Sequence, residues 1–236
     1  MMRLAWLLLG LMLAAAPARA GVSVTDDTGR RVVLPAAAQR IVSLAPHVTE
    51  LLYAAGAGGK LVGAVEYSDY PPAAQALPRV GSSSAVDIEA VAALKPDLVI
   101  AWQSGTRVAQ YGQLDRLGIP VFVSEPRSLD DIPRTLELLG RLAGTTKDAE
   151  AAALDFRTRR DRLAARYASR PPVGVFYQIW DRPPMTVNGQ HLISAVMALC
   201  GGRNVFADLA ILAPTVTEEA VLAAAPEVIV ASGTAD

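Results

Sequence analysis

The sequence predicts an α/β protein of two similar lobes, each built on a mainly parallel sheet and joined by one long helix. Three observations carry that expectation. The stretch "VDIEAVAALKPDLVIA" (residues 86–101) returns as "VTEEAVLAAAPEVIVA" (residues 216–231), with seven of sixteen positions identical. Short branched apolar runs alternate with helical patterns along most of the chain, the signature of β-α units whose strands are buried on both faces. Between the two copies, residues 145–168 hold the longest helical pattern. Copies so far apart indicate two lobes rather than a solenoid, whose period runs about 20–50 residues.

The first twenty residues are set aside. "MMRLAWLLLGLMLAAAPARA" has an early positive charge, an apolar run and Ala18-Arg19-Ala20 before Gly21. That pattern is a cleaved secretory signal peptide, its apolar run too short for a membrane span. "VSVTDDTGRRVVLP" alternates into and out of an Asp-Asp-Thr-Gly turn and reads as a hairpin. "RIVSLAP" is a buried strand, "HVTELLYAAGAGG" a helix stopped by glycines, "KLVGAVEY" a strand and "SDYPPAAQALP" a turn-rich loop. In the first repeat copy Asp87 is expected to cap a short helix, whose oxygen-bearing side chain accepts from free first-turn amides. Pro96 stops that helix, and "DLVIA" follows as a strand. "RVAQYGQLDRLG" is an amphipathic helix and "IPVFVS" a strand. Ser128 is expected to cap a helix running to about Ala143, closed by Gly144.

In the long helix, Ala149, Ala152, Ala153, Phe156, Arg160, Leu163, Ala164 and Tyr167 fall near one face. Some 22 residues would span roughly 33 Å, enough to bridge two lobes. Alternation then resumes with "VGVFYQIW" as strand, "HLISAVMALCGG" as helix and "NVFA" as strand. The second copy closes the pattern, with Thr217 as cap, Pro226 as stop and "EVIVA" as strand. The expected organisation is a signal peptide at 1–20, a first Rossmann-like lobe at 21–144, the inter-lobe helix at 145–168 and a second lobe at 169–236. The first lobe carries some forty residues beyond its copy and the second does not. The second lobe is therefore expected to be truncated.

Without Arg3 and Arg19, 20 basic residues face 23 acidic ones. No basic run or aromatic-basic stripe appears, which argues against nucleic acid as a partner. Cys200 is the sole cysteine, which in an exported protein points to a partner in another chain, a free thiol or a residue missing from the sequence. Open α/β sheets bind ligands beyond the C-terminal ends of their strands. That rule selects Pro46 and His47, the loop from Tyr67 to Tyr70, Trp102 and Trp180. The two histidines, His47 and His191, lack a third ligand at metal spacing, so no metal is expected. No G-x-S-x-G turn supports a nucleophile and no G-x-x-x-x-G-K loop supports phosphate binding. No resident cofactor and no enzymatic activity are expected. From the enzyme class, the remaining alternative is an exported metal-dependent hydrolase using His47, Asp69 and His191.

"RIVSLAPHVTELLYAAGAGGKLVGAVEYSDYPP", "ALKPDLVIAW" and "LCGGRNVF" resemble the periplasmic cobalamin-binding component of an ABC importer. The wider group comprises the long-helix binding proteins for cobalamin, haem and ferric siderophores. The resemblance implies a monomeric periplasmic capture protein, with a corrinoid held as cargo between the lobes and delivered to an inner-membrane permease dimer. Tyr67 and Trp102 match ring-contacting aromatics. Ser83 and Ala213 stand where that family carries tryptophans, and Trp180 is the expected compensation. His47 is a further candidate contact. The resemblance makes Glu89 and Glu219, the repeated glutamates, the residues that dock on the two halves of the permease. Their alternative reading is a first-turn carboxylate favoured by the helix dipole. The resemblance also pairs Cys200 with a cysteine beyond Asp236, in a tail of about forty further residues. A ferric siderophore or haem is the alternative cargo. An anionic catecholate would call for converging arginines, and Arg79, Arg107, Arg182 and Arg203 are scattered among loops.

Overall fold

A computed structural model describes residues 21–231, so the expected signal peptide lies outside the described residues. The opening hairpin forms as predicted from β1 (Val22–Thr25) and β2 (Arg31–Leu34), paired antiparallel. The Asp26 carboxylate organises its turn, accepting from the amides of Thr28 at 3.0 Å and Arg30 at 2.9 Å. Gly29, at φ 82°, supplies the left-handed residue the turn requires.

The first lobe continues through β3 (Ile41–Ser43), α1 (Pro46–Ala54), β4 (Leu61–Ala64) and a two-residue ladder of β5 (Gly81–Ser82) with β6 (Ala85–Val86). It is completed by α2 (Ile88–Ala93), β7 (Leu98–Trp102), α3 (Val108–Arg116), β8 (Val121–Ser124) and α4 (Asp131–Ala143). Four strands make a parallel sheet in the order β4-β3-β7-β8. Side chains on a strand alternate between faces, and the core divides accordingly. Ile41, Leu98, Ile100 and Phe122 join Leu52 of α1 and Leu139 of α4 in one apolar cluster. Val42, Val99, Ala101, Val121 and Val123 join Val91 of α2 and Leu114 of α3 in another. The sheet is thus covered on both faces, as its unbroken apolar strands predict. Each such fully buried aliphatic side chain contributes about 1.5–3 kcal/mol.

The long helix α5 (Thr146–Tyr167) has 22 residues. Gly144 at φ 70° ends α4 in the left-handed conformation and turns the chain into it. The two helices approach closely at Gly140, where an added Cβ would lie 2.2 Å from the Ala149 Cβ. Ala149 and Ala153 are buried on this face, whereas Ala164, expected on it, is exposed. Ala149 and Ala153 pack the first half of α5 on α4. Farther along, Arg157 pairs with Glu137 of α4 at 2.8 Å and Arg160 with Asp130, and α5 also makes a lighter contact with α6, described next.

The second lobe contains β9 (Val173–Gln178), a small ladder of β10 (Trp180–Asp181) with β11 (Pro184–Met185), α6 (Leu192–Leu199), β12 (Gly202–Asn204), α7 (Glu218–Ala224) and β13 (Val228–Ala231). Its parallel sheet has the order β12-β9-β13. That order reproduces β4-β3-β7 of the first lobe element for element, so the repeated sequence is a repeated topology. Both copies carry the expected caps. Asp87 accepts from the Ala90 amide at 2.9 Å and Thr217 from the Ala220 amide at 3.2 Å.

Two expectations are corrected. Ser128 does not cap α4; its amide and hydroxyl instead donate to the Asp131 carboxylate at 2.9 and 2.8 Å. The helix starts at Asp131, with Asp130 in the N-cap place, and the Asp131 amide donates to the Ser128 backbone carbonyl at 3.2 Å rather than to its hydroxyl. The "EVIVA" strand is not buried on both faces: every residue of β13 is exposed, Ile229 to 60 %. β7 is flanked by β3 and β8, whereas β13 pairs only with β9 among the described residues.

Candidate ligand-binding cleft

A cavity of about 770 Å³ lies between the lobes. Small-molecule sites run from about 300 to 1,000 Å³, so this one suits a large ligand. Its first-lobe wall is built where parallel strands end. The turn after β3 starts α1 and supplies His47, Glu50 and Leu51; the end of β7 supplies Trp102 and Ser104; the segment after β8 supplies Glu125, Pro126 and Arg127. Ile132 comes from the first turn of α4. The second lobe contributes Gln190, His191 and Leu192 at the start of α6, and Leu212 from the loop before α7.

Trp102 is the last residue of β7 and packs against the first-lobe core. Its ring meets His47 edge-on, with centroids 5.2 Å apart and planes at 83°, an arrangement aromatic quadrupoles favour. Gly105 makes room for that ring: a Cβ there would fall 1.8 Å from Cε3 of Trp102. The Trp102 amide donates to the Thr106 hydroxyl at 3.3 Å, tying the loop back to the strand end.

Burial pushes the His47 imidazole below its ordinary pKa, and the Glu125 carboxylate opposes part of that shift. His191 is lowered by burial as well. As the N-cap of α6, it accepts from the Ile193 amide at Nδ1, 3.1 Å away, which requires the neutral ring. Glu125 is held in place by Ser104, whose amide donates at 3.0 Å and whose hydroxyl lies 3.0 Å from both carboxylate oxygens. The Glu125 amide donates to the Asp27 carboxylate of the opening hairpin at 2.6 Å.

Of the candidates chosen from sequence, the cavity brings together His47 and Trp102. Tyr67 stands in the loop after β4, 79 % exposed at φ 64°. Trp180 sits in the β10–β11 ladder, 61 % exposed, its indole donating to the Arg182 carbonyl at 3.2 Å. Ser83 is in the β5–β6 turn, and Ala213 directly follows the lining residue Leu212. None of these four lines the cavity itself. Glu50, Ser104, Glu125, Arg127 and Gln190 escaped the sequence reading. The strand-end rule, extended to "IPVFVS", reaches Glu125 directly, and Glu50 lies three residues after His47 on the same helix face.

Glu89 and Glu219 are exposed in the first turns of α2 and α7, at equivalent places in the two lobes. The Glu219 carboxyl lies below its ordinary pKa, stabilised by its own amide and the Thr217 hydroxyl. Cys200 closes α6 with an exposed free thiol. Asp69 pairs with Arg79 at 3.3 Å and does not line the cavity that holds His47 and His191. Among the described residues, no group of three His, Cys, Asp or Glu side chains is placed to hold a metal.

A family model described as "Periplasmic binding protein" matches residues 41–236. The vitamin B12-binding protein of Vibrio cholerae serotype O1 is 43 % identical over 198 residues, covering 84 % of this chain and 72 % of that relative. The crystal structure of the periplasmic vitamin B12 binding protein of Vibrio cholerae matches with a TM-score of 0.78 at 43 % identity, covering 84 % of this chain and 78 % of that one. A periplasmic haem binding protein from Pseudomonas aeruginosa matches with a TM-score of 0.74 at 29 % identity, over 84 % of this chain and 73 % of that one. These relatives are binding proteins, not enzymes, which removes the hydrolase alternative. The chain belongs to the periplasmic binding protein family.

Proposed function

We propose that this chain captures a cobalamin-type corrinoid between its lobes in the periplasm and delivers it to an inner-membrane ABC importer. The observation that carries the proposal is the inter-lobe cavity of about 770 Å³, walled by Trp102, Leu51, Pro126, Ile132, Leu192 and Leu212 with seven polar or charged side chains spaced among them. A corrinoid is a large macrocycle fringed with neutral amides, which calls for apolar walls and scattered hydrogen bonds rather than clustered charge. The vitamin B12-binding relatives at 43 % identity support the same cargo. In this reading Trp102 and His47 form the inner wall. The exposed rings of Tyr67 and Trp180, with Ser83 and Ala213, meet the outer part of a ligand too large for the cavity alone. Residues 1–20 direct export, 21–144 and 169–236 form the lobes, and 145–168 is the strut between them. Glu89 and Glu219 dock on the two halves of the permease.

Calorimetric titration of the purified protein with cyanocobalamin, haem and a ferric catecholate tests the cargo. Cyanocobalamin is expected to bind one per chain at micromolar strength or tighter, on the order of −8 kcal/mol. Heat with haem or the catecholate, and none with any corrinoid, transfers the function to iron acquisition.

A further inference from the structure

The cleft has a charge sign that its size and aromatic wall do not require. Its lining includes two carboxylates, Glu50 and Glu125, against a single guanidinium, Arg127. The two imidazoles do not restore the balance, because His191 accepts an amide hydrogen at Nδ1 and so is held neutral, and burial disfavours the charged form of His47. Glu125 is also preorganised: the Ser104 amide and hydroxyl fix both of its oxygens, and its own amide is anchored on Asp27. A carboxylate fixed beside a ligand cavity accepts hydrogen bonds readily from amide N–H groups and repels carboxylates or phenolates on a ligand.

We propose that Glu50 and Glu125 are the specificity-determining residues of the cleft, selecting macrocycles with an amide fringe and rejecting those with a carboxylate fringe. The inference rests on the corrinoid reading for the ligand it favours, but not for the ligand it rejects. Placing like charges together across an interface is a strong means of excluding the wrong partner. Ser104 acts through Glu125 as a positioning residue, holding the carboxylate where a ligand's edge must pass.

The test compares wild type with Glu50→Gln, Glu125→Gln and the double variant. Each glutamine keeps the shape and the acceptor oxygen, and circular dichroism checks that each variant folds. Three probes are titrated: cyanocobalamin, a cyanocobalamin monocarboxylate in which one peripheral amide is hydrolysed, and haem. Wild type is expected to bind the amide form at least about tenfold more tightly than the monocarboxylate, with the gap closing in the double variant. Haem affinity is expected to rise by about tenfold or more in that variant. A folded double variant with wild-type discrimination and no gain for haem overturns the proposal. Failure of cyanocobalamin to bind wild type defeats the corrinoid reading alone, since the haem arm still reports whether the carboxylates repel an anionic ligand.

Discussion

Trp102 holds its place through its neighbours: the edge of His47 on one side and the bare backbone of Gly105 on another. Removing the ring should weaken cyanocobalamin binding by about 1–3 kcal/mol, the usual cost of losing a central aromatic anchor. Trp102→Ala in calorimetry measures this directly, and unchanged affinity would place the corrin elsewhere. Gly105→Ala should approach the same loss with the ring still present, because its Cβ occupies the space of Cε3. The histidines set a pH dependence. Burial lowers both in the folded state, so the unfolded chain binds protons more tightly than the native one. Stability is then full above the ordinary histidine value of about 6.5 and falls as pH drops below it, until the lowered folded values are passed. Melting temperature measured from pH 7.5 down to 5 should show this decline. His191→Asn, which retains a capping oxygen, should flatten part of it; an identical slope in that variant would assign the effect to other groups.

At the scale of the element, much was legible because local chemistry and tertiary context agreed. Asp87 and Thr217 could be assigned as caps from their side chains and the helical patterns after them, and both accept the amides they should. The unbroken apolar run of β7 reported a strand covered on both faces. The same reading failed for β13, since nothing in "EVIVA" states which neighbours will be present. Ser128 failed for a different reason: the helix starts two residues later than a Ser128 cap would set, at Asp131, whose carboxylate takes the serine's own donors. In the cleft, Trp102 announced itself by residue type and strand-end place, whereas Tyr67 and Trp180, chosen the same way, stand outside the cavity lining. Glu125 and Gln190 are ordinary surface residues until the fold brings two distant loops to one cavity. The caps supply a further expectation. Asp87→Ala or Thr217→Ala should cost about 0.5–2 kcal/mol of stability, measured by urea unfolding. Glu219 accepts from its own amide and the Thr217 hydroxyl, but both glutamates are exposed and neither is the N-cap of its helix, so replacing Glu89 or Glu219 should cost less. A larger loss for the glutamates than for the caps would make them structural.

That comparison matters because, at the scale of the whole molecule, the duplication invites a symmetric partner. The order β4-β3-β7 returns as β12-β9-β13, with a capped helix leading into the last strand each time. Each lobe therefore presents an exposed carboxylate at the same position of an equivalent helix, Glu89 in α2 and Glu219 in α7, with Glu218 beside the latter. A permease dimer offers the same patch twice, and two like charges on two like lobes can meet it once on each half. Helix-dipole stabilisation accounts for a glutamate in either first turn; the equivalence of the two positions is what docking adds. Glu89→Ala and Glu219→Ala are thus expected to leave cyanocobalamin affinity unchanged. Each should weaken productive engagement with the importer by on the order of 2–5 kcal/mol, the cost of stripping one partner from a desolvated charge pair. Uptake of labelled cyanocobalamin into proteoliposomes carrying the importer decides the matter, with the binding protein supplied over a range of concentrations. The expected result is a raised half-saturation concentration for each single variant and a larger rise for the double variant, all at wild-type ligand affinity. Wild-type coupling in the double variant would return both glutamates to their helix dipoles.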